Sequence, residues 1–149
     1  MIIRTVLAIG AFAIGIAAAI AQQDAVKARK DLMSVFAKPY YGDLRKMVQG
    51  QDPYDQAKAD AGFSVFANDA QKIIAAFATN AMPAVQSDYD ASPKIWQNKS
   101  DFDAKAVNLV KTAAENRNVA KDLNTLKIAY QNITQACDAC HENYRVKNR

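Results

Sequence analysis

The chain has 149 residues, half of them apolar and 23% charged, with only five glycines and four prolines, a balance that excludes collagen-like and disordered classes and fits one compact, helix-rich domain. Its two cysteines stand three positions apart and can close at most one bridge, so a disulfide-stapled mini-protein is excluded as well. The formal charge of +4 is scattered over every segment rather than gathered on one face, which excludes a nucleic-acid partner.

The first stretch reads as a targeting segment. Arg4 supplies a short positive start, Val6 to Ala21 carries no charge, and Ala19-Ile20-Ala21 places small residues three and one positions before a cut. We therefore expect residues 1–21 to be a cleaved signal peptide and 22–149 to be an exported domain with no stable membrane insertion after cleavage. The alternative is an uncleaved anchor, for which the apolar run lies near the lower length limit. Without Arg4 the exported domain keeps 18 basic against 15 acidic side chains.

Four amphipathic segments follow. In helix A, from Asp24 to Gly50, the residues Val26, Met33, Phe36, Tyr40, Leu44 and Met47 recur mostly at three- and four-residue steps. Pro39 lacks the N–H that would bond to the carbonyl of Val35, so a kink is expected there, with Gly42 adding to the weakness. Asp52-Pro53 reads as a cap followed by a first-turn proline, opening helix B, whose stripe of Ala57, Ala61, Phe63, Phe66, Ala70, Ile73, Ile74 and Phe77 runs to about Asn80.

Residues 81–98 form a long connection with Pro83, Ser87, Asp88, Asp90, Ser92, Pro93 and the single Trp96. Ser100 can cap helix C, with Asp101 and Asp103 in its first turn and Phe102, Ala106, Leu109 and Ala113 facing inward, and Asn116-Arg117-Asn118 breaks it. Helix D carries Val119, Leu123, Leu126, Tyr130, Ile133, Cys137, Cys140 and Tyr144. Four such helices, two short connections and one long one predict an all-α, antiparallel up-down-up-down four-helix bundle.

Cys137-Asp138-Ala139-Cys140-His141 is the Cys-x-x-Cys-His signature of c-type haem attachment, in which two thiols add to the vinyl groups of one porphyrin and the adjacent imidazole ligates the iron. Residues three apart share a helix face, so both sulfurs reach one group. A thioredoxin-like pair would want a βαβ context, and a zinc site would want four ligands. The expected cofactor is one covalent haem c. No acid–base pair, nucleophile triad or phosphate loop accompanies it, and no enzyme activity is expected.

The motif lies in the last helix, eight residues from the C-terminus. Together with Arg29 and the residue four positions later, Gln51-Asp52-Pro53-Tyr54-Asp55, Pro93-Lys94-Ile95-Trp96 and the run from Cys137 to Arg145, this placement resembles the class II cytochromes c, the cytochrome c prime family, over essentially the whole exported domain. The resemblance implies a periplasmic location, a haem propionate partner in Arg29, a distal residue at Met33, and dimers through helices A and B. It also implies methionine ligation in the low-spin branch and five-coordinate, gas-binding iron in the high-spin one.

Position along the helices bears on the ligand opposite His141. Met33 lies about 13 Å into helix A and His141 about 12 Å from the chain end, so the two meet at one level, whereas Met47 lies about 21 Å beyond Met33. Met82, in the connection at the same end of the bundle, competes, although a loop methionine must be ordered at an entropic cost. The expected function is an exported monohaem electron carrier with His141 and Met33 as axial ligands and with redox partner proteins the sequence does not identify. The alternatives are a five-coordinate, high-spin haem protein binding NO or CO, and a bundle whose haem chiefly stabilises the fold. Arg145, Lys147 and Arg149 face an acidic partner or serve only to offset the helix dipole.

Overall fold

The computed structural model describes residues 2–83, 86 and 89–146, the side chains of residues 2–18 excepted. The expected leader, 1–21, therefore falls mostly on side chains outside the described residues, as do Ser87, Asp88, Lys147 and Arg149. Among the described residues no helix is long and apolar enough to cross a membrane.

Helix α1 (Ile2–Pro39) ends at its proline and passes into a π-helical turn, Tyr40–Leu44, before α2 (Arg45–Val48). Pro39 cannot continue the backbone ladder, and Gly42 departs from helical geometry at φ −87°, ψ −117°. Gly50, at φ +72°, then reverses the chain. The Gly50 N–H donates to the Met47 carbonyl (3.1 Å) and the Gln51 N–H to that of Lys46 (2.8 Å), a Schellman ending that only glycine adopts without cost.

Helix B starts three residues later than expected and is divided into α3 (Gln56–Asp69) and α4 (Lys72–Ala76). Its cap is Asp55, whose carboxylate accepts from the Lys58 N–H at 3.0 Å, and not Asp52. Tyr54 explains the delay: its hydroxyl donates to the carbonyl of Ala120 at 3.0 Å, which ties the chain there before it coils. The inward face of α3 also differs from the expected stripe. Ala57 and Ala61 are exposed, while Ala59 and Gly62 are buried. A Cβ on Gly62 would lie 2.9 Å from Cγ of Leu44, so this glycine makes the seat in which the fully buried Leu44 packs.

The long connection contains a short helix, α5 (Lys94–Gln97), and its residues 89–92 lie against the chain end. Val146 donates to Asp90, Ser92 to Tyr144 and Tyr89 to Val146, with an isolated bridge between Ala91 and Arg145. Helix α6 (Lys99–Val119) begins one residue before Ser100, which is therefore not its cap. It also runs through Asn116, a buried residue whose amide donates to the Thr112 carbonyl and accepts from Asn132 on the next helix. Val119 ends α6 and is exposed rather than belonging to the last helix. Helix α7 (Leu123–Tyr144) opens on a capping box, with Asp122 accepting from the Thr125 N–H at 2.8 Å and its own N–H donating to the Thr125 hydroxyl.

The result is an all-helical, up-down-up-down bundle in which α6 packs against α3 and α7, and α1 and α2 close the ring against α3, α4 and α7. The stripes expected on α6 and on α7 from Leu126 onward face inward, and Phe63, Phe66, Leu44, Met47, Leu126 and Ile133 are all but inaccessible to solvent. Gln22 and Arg29 of α1 and the last turn of α7 meet the 81–92 segment at one end of the bundle.

Candidate functional site

At that end a cavity of about 700 Å³ opens between α1, the 81–95 segment, α6 and α7. Its inner wall is apolar, with Phe36, Phe66, Ile73, Phe77, Ile95 and Phe102, a lining suited to a large flat apolar group. Cys137, Cys140 and His141 enter it from the last two turns of α7, the cysteines as free thiols on one helix face. Met33 enters from α1, so the structure brings the expected pair, Met33 and His141, to one cavity.

The two other candidate methionines lie elsewhere. Met47 is fully buried, and its sulfur accepts the Asp55 N–H at 3.2 Å. Met82 is not among the residues lining the cavity, and its carbonyl accepts from Gln22 at 2.5 Å.

Burial sets the protonation of the groups on α7. It pushes the Cys137 thiol up to about 12, with the Asp138 and Cys140 charges adding, and the Cys140 thiol up to about 11 against an opposing pull from Lys105. His141 moves the other way, lowered first by burial and then by the Arg145 charge. Burial thus favours the neutral forms of all three groups, and the neutral imidazole is the form that ligates a metal. Among the described residues no group of three or more His, Cys, Asp or Glu is placed to hold a bare metal ion.

On the charged rim Arg29 is 4% exposed, and its N–H groups are given to three backbone carbonyls: Nε to Ala76 (2.8 Å), Nη1 to Ala81 (2.5 Å) and Nη2 to Thr79. Trp96 backs it from outside the cavity lining and donates to the Phe77 carbonyl at 3.0 Å, which makes this tryptophan a seal rather than a wall. Tyr144 is buried at the cavity edge and its hydroxyl donates to Asp101 at 2.5 Å, joining α7 to the start of α6.

Two features were not read from the sequence. Asp90, nearly inaccessible, lines the cavity and pairs with Lys30 of α1 at 2.7 Å. Arg145 lies over the Tyr89 ring at 5.0 Å, and its buried Nε has no hydrogen-bond partner. That orphaned donor in the cavity wall, with the free thiols and the apolar interior, fits a group that brings its own acceptors. No local pattern announces a pair 60 residues apart.

A family model described as Cytochrome C' matches residues 24–145. The chain belongs to this family. Cytochrome c-555 of Bradyrhizobium diazoefficiens is 37% identical over 145 residues, 97% of each chain. Among solved structures, cytochrome c' from Rhodopseudomonas palustris superposes with a TM-score of 0.77 at 25% identity, covering 85% of this chain and 98% of the other. A structural model of oxidized R. palustris cytochrome c556 gives 0.75 at 33% identity, covering 85% and 99%. The protein is therefore a monohaem c-type cytochrome, and the bundle fold and the single covalent haem c expected from the motif both stand. Its relatives are cytochromes.

Proposed function

We propose that this cytochrome is a periplasmic electron carrier whose haem is anchored by Cys137 and Cys140 and ligated axially by His141 and Met33. The observation behind this reading is that Met33 is the one described methionine lining the cavity that His141 enters, while the sulfur of Met47 is already committed to Asp55. When bound, the haem iron supplies one-electron chemistry, and a thioether ligand favours its reduced form.

The chain's own residues do the rest. Burial keeps the His141 imidazole neutral and ready to ligate. The rings of Phe36, Phe66 and Phe102 exclude water from the cavity. Helix α1 holds Met33 against the cavity, where its thioether would serve as the ligand opposite His141. Export rests on the leader expected at residues 1–21, and mass spectrometry of the native N-terminus checks it.

A similar solved structure, the nitric oxide complex of a cytochrome c prime variant from Alcaligenes xylosoxidans, favours a second reading: a high-spin protein that binds NO or CO, with Met33 packed nearby but unbonded. The visible spectrum of the reduced protein with and without carbon monoxide separates the two. A low-spin spectrum indifferent to carbon monoxide supports the electron carrier, and prompt adduct formation overturns it. Met33→Ala is expected to convert the haem to high spin and open it to carbon monoxide, while Met82→Ala leaves it unchanged; the reverse pattern would move the ligand to the loop.

A further inference from the structure

Helix α4 stops at Ala76, earlier than the apolar pattern suggests, and the carbonyls around its end need partners. Arg29 supplies them. One planar guanidinium meets the oxygens of Ala76, Thr79 and Ala81, and its central carbon lies 5.0 Å from the ring centroids of both Phe77 and Trp96. Trp96 is itself tied to the Phe77 carbonyl, so α1, the end of α4 and α5 are joined around one side chain. Arg29 stands four residues before Met33 on the same helix face, and both line the cavity.

We infer that Arg29 is a positioning residue: by clamping α1 to the end of α4 it fixes the height and rotation at which Met33 enters the cavity, in place of the carboxylate partnership that the family resemblance implies. This rests on Met33 being the ligand. The geometry is demanding because a helix advances 100° per residue, so a small rotation of α1 carries Met33 off the cavity axis. Three divergent acceptors and two ring faces match a rigid donor fork and not an ammonium on a flexible stem. A carboxylate partner is also met by the arginine fork, but lysine keeps the charge that attracts it and that sets a pH-dependent potential, whereas lysine keeps neither the three-carbonyl geometry nor the ring stacking.

The test compares Arg29→Lys and Trp96→Leu with the wild-type holoprotein. Three readouts are taken: the reduced spectrum under carbon monoxide, amide hydrogen exchange at Phe77, Ala78 and Ala81, and the pH profile of the midpoint potential. Clamping predicts that lysine does not replace the arginine: in Arg29→Lys part of the population takes up carbon monoxide, the three amides exchange about tenfold faster and the pH profile is unmoved. Trp96→Leu, which keeps the cation, is expected to shift the first two readouts in the same direction by less, and it carries the test if Arg29→Lys does not assemble.

Wild-type ligation and exchange in Arg29→Lys, or a change confined to the pH profile, would overturn the inference in favour of a carboxylate partner. Failure of Met33→Ala to open the haem would sink the ligand assignment on its own, since the exchange rates at residues 77–81 do not depend on it.

Discussion

The two ends of the bundle are built by different means. At the closed end, where α2 meets α3 and α6 meets α7, most ties are local, a glycine reversal at Gly50, the Asp55 cap and the Asp122–Thr125 box, joined by Tyr54 and Gln56 reaching Ala120, around the fully buried Leu44, Met47, Phe63 and Leu126. At the cavity end the ties span the chain: Arg29 to residues 76–81, Lys30 to Asp90, Ser92 to Tyr144 and Tyr144 to Asp101. Two methionines on one helical path show the consequence. Met47 is packed shut with its sulfur hydrogen-bonded, and Met33 is left half-buried against the cavity. One end supplies packing energy, and the other spends its side chains on holding a shape.

If that division is right, damage at the closed end should cost stability without touching the haem. Phe63→Ala removes a fully buried ring and is expected to cost about 3–5 kcal/mol in denaturant titrations, with the spectrum below the transition unchanged. A spectral change in the folded state would show that the two ends are coupled. Met47→Leu is the milder version. It preserves volume but strips the Asp55 N–H of its acceptor, so a loss of about 1–2 kcal/mol and a normal spectrum are expected, in contrast to the spin change at Met33.

The same division explains what could be read in advance. The haem motif was legible because its chemistry demands fixed residue types at fixed spacing, and the inward faces of α6 and most of α7 were legible because Phe102, Leu109, Leu126 and Ile133 leave no doubt about phase. The face of α3 was not. Alanine and glycine carry little hydrophobic contrast, and what places Gly62 inside is the shape of Leu44, not its own burial energy. Asp52 and Asp55 are equally good caps in isolation, and the choice is made by Tyr54 reaching Ala120. Arg29 was singled out, but its partners are backbone oxygens, which leave no mark in a sequence.

The smallest effect sharpens the cavity end through pH. Tyr144 donates to Asp101, and this hydrogen bond, with help from Lys105, holds the Asp101 carboxyl below its ordinary 3.8. A depressed carboxyl contributes stability that is present above 3.8 and is lost as pH falls through the lower folded value. Tyr144 itself is pushed from 10.0 up to about 12, first by burial and then by the same bond, so its contribution is present below pH 10 and is lost as pH rises toward 12. Tyr144→Phe keeps the ring against Phe102 and removes the hydroxyl. Its stability deficit relative to wild type should therefore be greatest between these limits and shrink at both, with the Asp101 resonance titrating at higher pH. No deficit at any pH would mean that the ring, which phenylalanine keeps, and not the bond to Asp101, joins α7 to α6.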